Sequence, residues 1–198
     1  ISFTRAVEGA MRTMADGRKA HVRSQADAYT AGGALEYCNA IRALLKAADG
    51  MEIPSEGLGA FVHAVKAYAQ TPGCTQTETL LRQALESVNA ITYTLRVRNG
   101  RVVVCPGRQS GDLVRETRED MIDLDESADD AAPRDIRLFG ELDFNPLATL
   151  ITGVLQAEYP GPFALLHSAA EAAACLPEPF IRAFAEEIRW YDRYLDQV

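Results

Sequence analysis

Histidine is scarce in this chain, with three copies in 198 residues, and the four cysteines form no CxxC pair. The usual zinc and dithiol spacings are therefore missing. No run of eighteen apolar residues exists, which excludes a helical membrane span, and the charged, amphipathic N-terminus is no signal peptide. A GxxxxGK[ST] phosphate loop is absent and no GxGxxG follows a strand pattern, so no motif marks a nucleotide site. Positive charge is also short. Twenty Lys and Arg against 28 Asp and Glu give a formal charge of −8, and such a chain repels phosphates as a whole. This argues against a bare, general nucleic-acid-binding domain. What is present is ordinary for a folded domain, with 47% apolar and 24% charged residues. The length suits one or at most two domains. Cys38, Cys74, Cys105 and Cys175 are widely spaced, and without a secretion signal they read as buried free thiols in a cytoplasmic protein.

Apolar spacing predicts a mainly α fold. The last stretch, 177–198, places Phe180, Phe184, Ile188, Tyr191 and Leu195 at intervals of four, four, three and four, one face of a helix about 30 Å long. Arg182, Glu186, Glu187, Arg189, Asp192, Arg193 and Asp196 fill its wet face, and Pro177 and Pro179 suit its start. The pattern is still running at Val198, and residue 1 is Ile, so the chain reads as an internal piece of a longer protein. Upstream, helices are expected over about 3–24, though Gly9 and Gly17 weaken that one, and over 30–48, with Leu35, Cys38, Ile41 and Leu45 inward and Asp49-Gly50 as the stop. A third follows over 55–69, with Ser55 as N-cap and Leu58, Phe61, Val62, Val65, Tyr68 and Ala69 inward. After Thr71-Pro72-Gly73 a fourth is expected from about 75, carrying Leu80, Leu81, Ala84, Leu85 and Val88. The residues 91–97 and 102–105 flank Asn99-Gly100 and predict one β-hairpin, about 91–105. Ser110 caps a polar helix over 111–125, which leads into an acidic, mobile loop at 123–135. Helices over 144–158 and 163–176 complete a multi-helix bundle, 1–198, in one domain.

Few residues assemble into chemistry. His167 and Glu171 lie four apart on one helical face and could ligate a metal, yet His21 and His63 sit in no ligand pattern and a polar contact is the preferred reading. Asp112, Glu116, Glu119, Asp120 and Asp123 could hold a divalent cation or do acid–base work, but their helix is polar nearly all round, the mark of a solvated face. Glu186 and Glu187 can pair with Arg182, Arg189 or Arg193 along the last helix. The run from Pro106 to Gly111 reads as a turn, lacking the lysine of a phosphate loop. Arg96, Arg98, Arg101 and Arg108 gather around the hairpin, and are read as a solvated turn, direct DNA contact being the alternative. No catalytic set emerges, so the chain is expected to be no enzyme, with no catalytic, cofactor or metal residues of its own.

The succession HVRSQADAYTAGGALEYCNAIRALLKA, PSEGLGAFVHAVKAYAQT, LLRQALESVNAITYTLRVRNGRVVV, FNPLATLITGVLQAEYPGPFALLHSA and FIRAFAEEIRWYDRYLDQV resembles the helical region that precedes the ATPase domain in MutS-family proteins. It is similar in particular to bacterial MutS-like ATPases that lack the mismatch-reading N-terminal domain. The resemblance covers most of the chain and rests on the Glu36-Tyr37-Cys38 step, the hairpin after Val88, the Tyr159-Pro160 break before Phe163, and Glu187-Ile188-Arg189-Trp190-Tyr191. It implies a non-catalytic core or lever domain that couples the nucleotide state of a following ATPase domain to DNA engagement. ATP and Mg would belong to the parent, DNA would be met through the assembled parent, and a homodimer is a further expectation. The acidic 123–130 stretch departs from the family pattern. The competing expectations are a helical protein–protein adaptor unrelated to DNA, and a small metal-dependent enzyme built on the 112–123 carboxylates.

Overall fold

Two glycines decide how the first two helices meet. In a computed structural model that describes residues 3–20, 22–98, 101–107 and 146–195, α1 (Phe3–Gly17) and α2 (Arg23–Ala48) lie against each other. A Cβ on Gly33 would come within 2.7 Å of the Ala10 carbonyl oxygen and 2.8 Å of the Met14 backbone nitrogen. A Cβ on Gly17 would meet the Ala26 carbonyl at 2.9 Å. These pairings run in opposite directions along the two helices, so α1 and α2 form an antiparallel pair in backbone contact. Val7, Ala10, Ala28, Ala31 and Ala34 are buried with them, small side chains that permit the close approach.

Expectation and structure differ at the ends of these helices. α1 stops at Gly17 rather than near 24, where Arg18, Lys19 and Ala20 turn the chain with N–H bonds back to Ala15, Asp16 and Gly17. His21 lies outside the described residues. α2 begins at Arg23, seven residues before the spacing suggested, because Ser24 and Ala28 are buried although they carry no long apolar side chain. At 26 residues, or about 39 Å, it is the longest described helix. Asp49-Gly50 does end it, Gly50 taking the left-handed conformation at φ +77° that favours glycine at this position.

α3 (Glu56–Ala69) starts as Pro54-Ser55 predicts, with the Ser55 hydroxyl accepting the Leu58 N–H at 3.3 Å. Leu58, expected inside, is 40% exposed, and only Val65 and Ala69 of α3 are buried. α4 (Pro72–Asn89) takes up Pro72 and Gly73 in its first turn, where a missing N–H costs nothing. Thr71 Oγ1 accepts the Cys74 N–H at 3.3 Å. Leu81, Ala84 and Val88 are buried as expected.

β1 (Tyr93–Arg98) and β2 (Arg101–Pro106) pair antiparallel, Leu95 opposite Val104, and the Gly107 N–H closes the ladder on Thr92 O at 2.8 Å. Their connection, Asn99-Gly100, lies outside the described residues. α5 (Pro146–Glu158) and α6 (Pro160–Ala173) are separated by Tyr159 alone, since Pro160 and Pro162 fit a first turn. α7 (Pro179–Leu195) is the last helix. The chain is mainly α, and among the described residues none of its seven helices is long and apolar enough to cross a membrane. The expected polar helix over 111–125, the acidic 123–135 loop and the carboxylates from Asp112 to Asp123 lie outside the described residues.

The contacts form two compact units, 1–85 with 165–198, and 86–164. In the second, Val104, Ile151, Leu155 and Phe163 make a core lined by Ile91, Tyr93, Leu95, Val154 and Tyr159. Alternation along β1 explains it, since Tyr93 and Leu95 fall on one face of the strand. The first unit is built on α1, α2 and α3 with α7, and its centre is rich in alanine.

The glycines supply a paired test of this packing. Gly33→Ala drives a methyl into α1 backbone and should cost about 1–3 kcal/mol in urea unfolding. Gly9→Ala, with nothing within 4 Å of the added carbon, should instead stabilise by about 0.5–1 kcal/mol, the helix-interior gain over glycine.

Candidate functional site

The last helix is held to the first unit at points supplied by α1, α2 and α3. Tyr37, in the middle of α2, is completely buried, and its hydroxyl accepts the backbone N–H of Glu178 at 3.2 Å. Glu178 immediately precedes α7. Six residues on, Phe184 stacks on Phe61 of α3, ring centroids 3.6 Å apart and planes at 13°. Phe180 meets Phe61 and Tyr68 edge-on at 6.1 and 6.4 Å, and Phe3 of α1 meets Phe61 edge-on at 6.2 Å. Further along, Arg189 Nη1 stands 3.6 Å from Glu8 Oε1 of α1, an ion pair without a hydrogen bond.

The buried line of α7 differs from the spacing read in the sequence. Ile181 and Ala185 are its fully buried residues, while Phe184 and Ile188 are half-buried and Phe180 is 37% exposed. Ile181 and Ala185 take the inward positions, and the rings of Phe180 and Phe184 pack on Phe61 beside them. The side chains of Tyr191 and Leu195 lie outside the described set. Arg182 pairs with Glu186 within α7 at 3.2 Å, the structural role expected for these charges.

A polar cluster links α2 to α4. Glu78 of α4 is nearly buried. Its Oε2 receives Arg42 Nη2 at 2.7 Å and Nε at 3.1 Å, and its Oε1 receives Arg82 Nη2 at 2.9 Å. Arg82 also donates to Asn39 Oδ1 at 2.9 Å. Burial works against the Glu78 carboxylate, but the hydrogen bonds and charges of the two guanidiniums prevail and hold it below the usual carboxylate range. The same contacts raise Arg42 further above its ordinary value.

Cys38 and Cys74 are buried free thiols, as expected, whereas Cys175 is exposed. Burial pushes Cys38 up to about 12, helped by Cys74 and the Glu78 charge, and it also raises Cys74. Tyr37 and Tyr68 are raised as well, first by burial. The Tyr68 hydroxyl is buried and completes no well-formed hydrogen bond. These thiols stay protonated at neutral pH and are poor nucleophiles. The cluster is therefore built for packing and position, not for covalent chemistry.

His167 and Glu171 do come together, Nε2 to Oε1 at 3.1 Å, but with partners that sequence spacing could not reveal. Asp27 Oδ2 lies 3.0 Å from Nδ1, and Arg23 reaches Nε2. A guanidinium in that place opposes a metal ion. Among the described residues no group of three or more His, Cys, Asp or Glu is arranged to hold one. His63 is exposed on α3. The side chains of Arg96, Arg98 and Arg101, and all of Arg108, lie outside the described set.

No family model, curated protein or solved structure matches this chain.

Two tests probe the seat of α7. Tyr37→Phe removes the acceptor of the Glu178 N–H and should cost about 1–2 kcal/mol, with hydrogen exchange at 178–184 accelerating before the rest of the unit. The pH profile follows from the perturbed groups. The stability from Glu78 is present above its ordinary value of 4.5 and is lost as pH falls through its lowered folded value. That from Cys38 is present below 9.0 and is lost between 9.0 and about 12. Urea midpoints should thus decline on both sides, and Glu78→Gln should flatten the acid limb alone.

Proposed function

We propose that this chain is a non-catalytic core or lever domain of a MutS-like DNA repair ATPase, coupling the nucleotide state of a following ATPase domain to DNA engagement. The observation that carries the reading is the seating of α7 by Tyr37, Phe61 and Glu8, from three different helices. A helix held in this way moves with its body, because its backbone hydrogen bonds resist bending and its contacts resist sliding. The order of elements and the Glu187–Tyr191 run, similar to the family's region before the ATPase, support the same assignment. ATP and Mg then belong to the parent protein, which meets DNA as an assembly in the cytoplasm, as a homodimer on this reading. An overall charge of −8 is compatible with a domain that positions DNA-binding parts without attracting phosphates itself.

An adaptor role is the second reading. Among the described residues, Phe180, Leu58 and Met51 are the large apolar residues left exposed, at 37%, 40% and 65%, and they could meet another protein. Pulldown of a stable partner, from a reading frame without an ATPase, would favour it.

The decisive observation is the parent reading frame beyond Val198. A GxxxxGK[ST] loop downstream supports the lever; a stop codon or an unrelated domain sinks it. In such a parent, Ile188→Pro should break α7 within its seated length. DNA affinity should then cease to respond to ATP while nucleotide binding persists, measured by fluorescence anisotropy with and without nucleotide. Unchanged coupling would remove α7 from the transmission.

A further inference from the structure

The start of α2 is a helix terminus that its own sequence leaves open. Val22, at the N-cap, has an extended backbone (φ −106°, ψ 124°) and makes no side-chain cap bond, and the first turn carries no acidic residue. The first helical bond runs from the Ala26 N–H to the Val22 carbonyl at 3.0 Å. The N–H groups of Arg23, Ser24 and Gln25 stand before it, so none has an acceptor within the helix. Aligned peptide dipoles add about half a positive charge at the same end.

A buried side chain points there too. Ser24 is 4% exposed, and among the described residues its hydroxyl oxygen has no hydrogen-bond partner. Such a group is costly to leave unpaired. In an α-helix the Cα–Cβ bond tilts toward the N-terminus, so this hydroxyl is aimed at the place that the three N–H groups face. One wall of that place is dry, and the other is open, because Arg23 is exposed while Val22 and Gln25 are half-buried. The charges agree. Between Asp16 and Asp27 the sequence carries Arg18, Lys19 and Arg23 and no carboxylate. The two flanking carboxylates are already engaged, Asp16 with Lys19 at 2.7 Å and Asp27 with His167 at 3.0 Å. The overall charge of −8 is screened over about 8 Å at physiological salt, so the nearby cations set the local potential.

We propose that the start of α2 binds a phosphate group, held by the N–H groups of Arg23, Ser24 and Gln25 and by the Ser24 hydroxyl. A helix N-terminus supplies converging backbone donors and a favourable dipole to an anion. The Ser24 hydroxyl donates to a phosphate oxygen and gains the partner it lacks. The ligand is the free ion or a phosphate monoester, since the donors meet terminal oxygens that both possess. A monoester offers three such acceptors, whereas a carboxylate offers two oxygens. Arg18, Lys19 and Arg23 contribute their field. Occupancy closes the open end of the longest described helix. The site is independent of the lever assignment.

Amide NMR on the full chain, titrated with inorganic phosphate at constant ionic strength, tests the site. Saturable shifts should be confined to the amides of 23–25 and their neighbours, with chloride giving none. A parallel titration with glycerol phosphate separates the sources: tighter binding assigns the site to a monoester, and equal or weaker binding to the free ion. Ser24→Ala removes a hydroxyl without a partner, so it should leave folding intact and weaken phosphate by at least about tenfold, the contribution of one hydrogen bond to a charged group. Val22→Asp supplies the missing cap from within the chain. It should raise the urea midpoint and abolish the phosphate shifts. Unsaturable shifts scattered over the exposed lysines and arginines, or an affinity unchanged in Ser24→Ala, would overturn the proposal.

Discussion

A hydroxyl taken wholly out of water has to be matched, and the match for Tyr37 organises the larger unit. Left unpaired, such a group costs about 1–3 kcal/mol. The partner is the Glu178 N–H, 141 residues further along the chain. A buried donor and a buried acceptor satisfied each other, and in doing so tied the start of α7 to the middle of α2. The Phe61–Phe184 stack then sets the rotation of α7, because two rings 3.6 Å apart tolerate little turning. The close crossing of α1 and α2 has the complementary role. By bringing backbones together at Gly17 and Gly33 it leaves alanine enough to fill the space between these two helices, and the rings of Phe61, Phe180 and Phe184 pack together where α3 and α7 meet.

The balance of forces at Glu78 explains how a carboxylate is kept inside this unit. A buried carboxylate alone would be expelled or protonated. Glu78 is retained because two arginines reach it from different helices, each still half in water through its own side chain. The cost of burial therefore falls mainly on one ion of the three. This arrangement differs from a catalytic pair, in which two groups are driven toward opposite protonation states near neutral pH. Here the carboxylate is held ionised and the thiols and phenols are held protonated, so all of them are fixed at neutral pH.

Much of this fold was legible because helices announce themselves locally. Ser55 before Glu56, Asp49-Gly50 after Ala48, and Pro160 after Tyr159 are short-range signals, and each marks a true boundary. The inward residues Leu81, Ala84 and Val88 of α4 followed from period alone. The start of α2 was missed for a physical reason: an interface of Ser24, Ala28 and Gly33 buries backbone, which a count of large apolar residues does not see. The rotation of α7 was missed for the converse reason. Phe180 scores as core in any periodicity, yet a ring displaced to the edge of an alanine-lined interior remains partly wet. The pairings Tyr37–Glu178, Arg42–Glu78 and Asp27–His167 join residues 36 to 141 positions apart, and no local rule in a single sequence connects them. His167 and Glu171 were found by their spacing, but the identity of the cluster lies in Asp27 and Arg23, which it could not supply.

The alanine-rich interior bears on what such a body could transmit. Displacement passes through a packed structure only if the contacts along the way cannot absorb it. Long flexible side chains take up a shift by changing rotamer, whereas alanine and glycine contacts have no rotamer to change and must pass it on as movement of backbone. The α1–α2 crossing is of this kind, and α7 rests on it through Glu8 and on α2 through Tyr37. Under the proposed lever reading, a force on the far end of α7 would therefore move α1 and α2 before it deformed them.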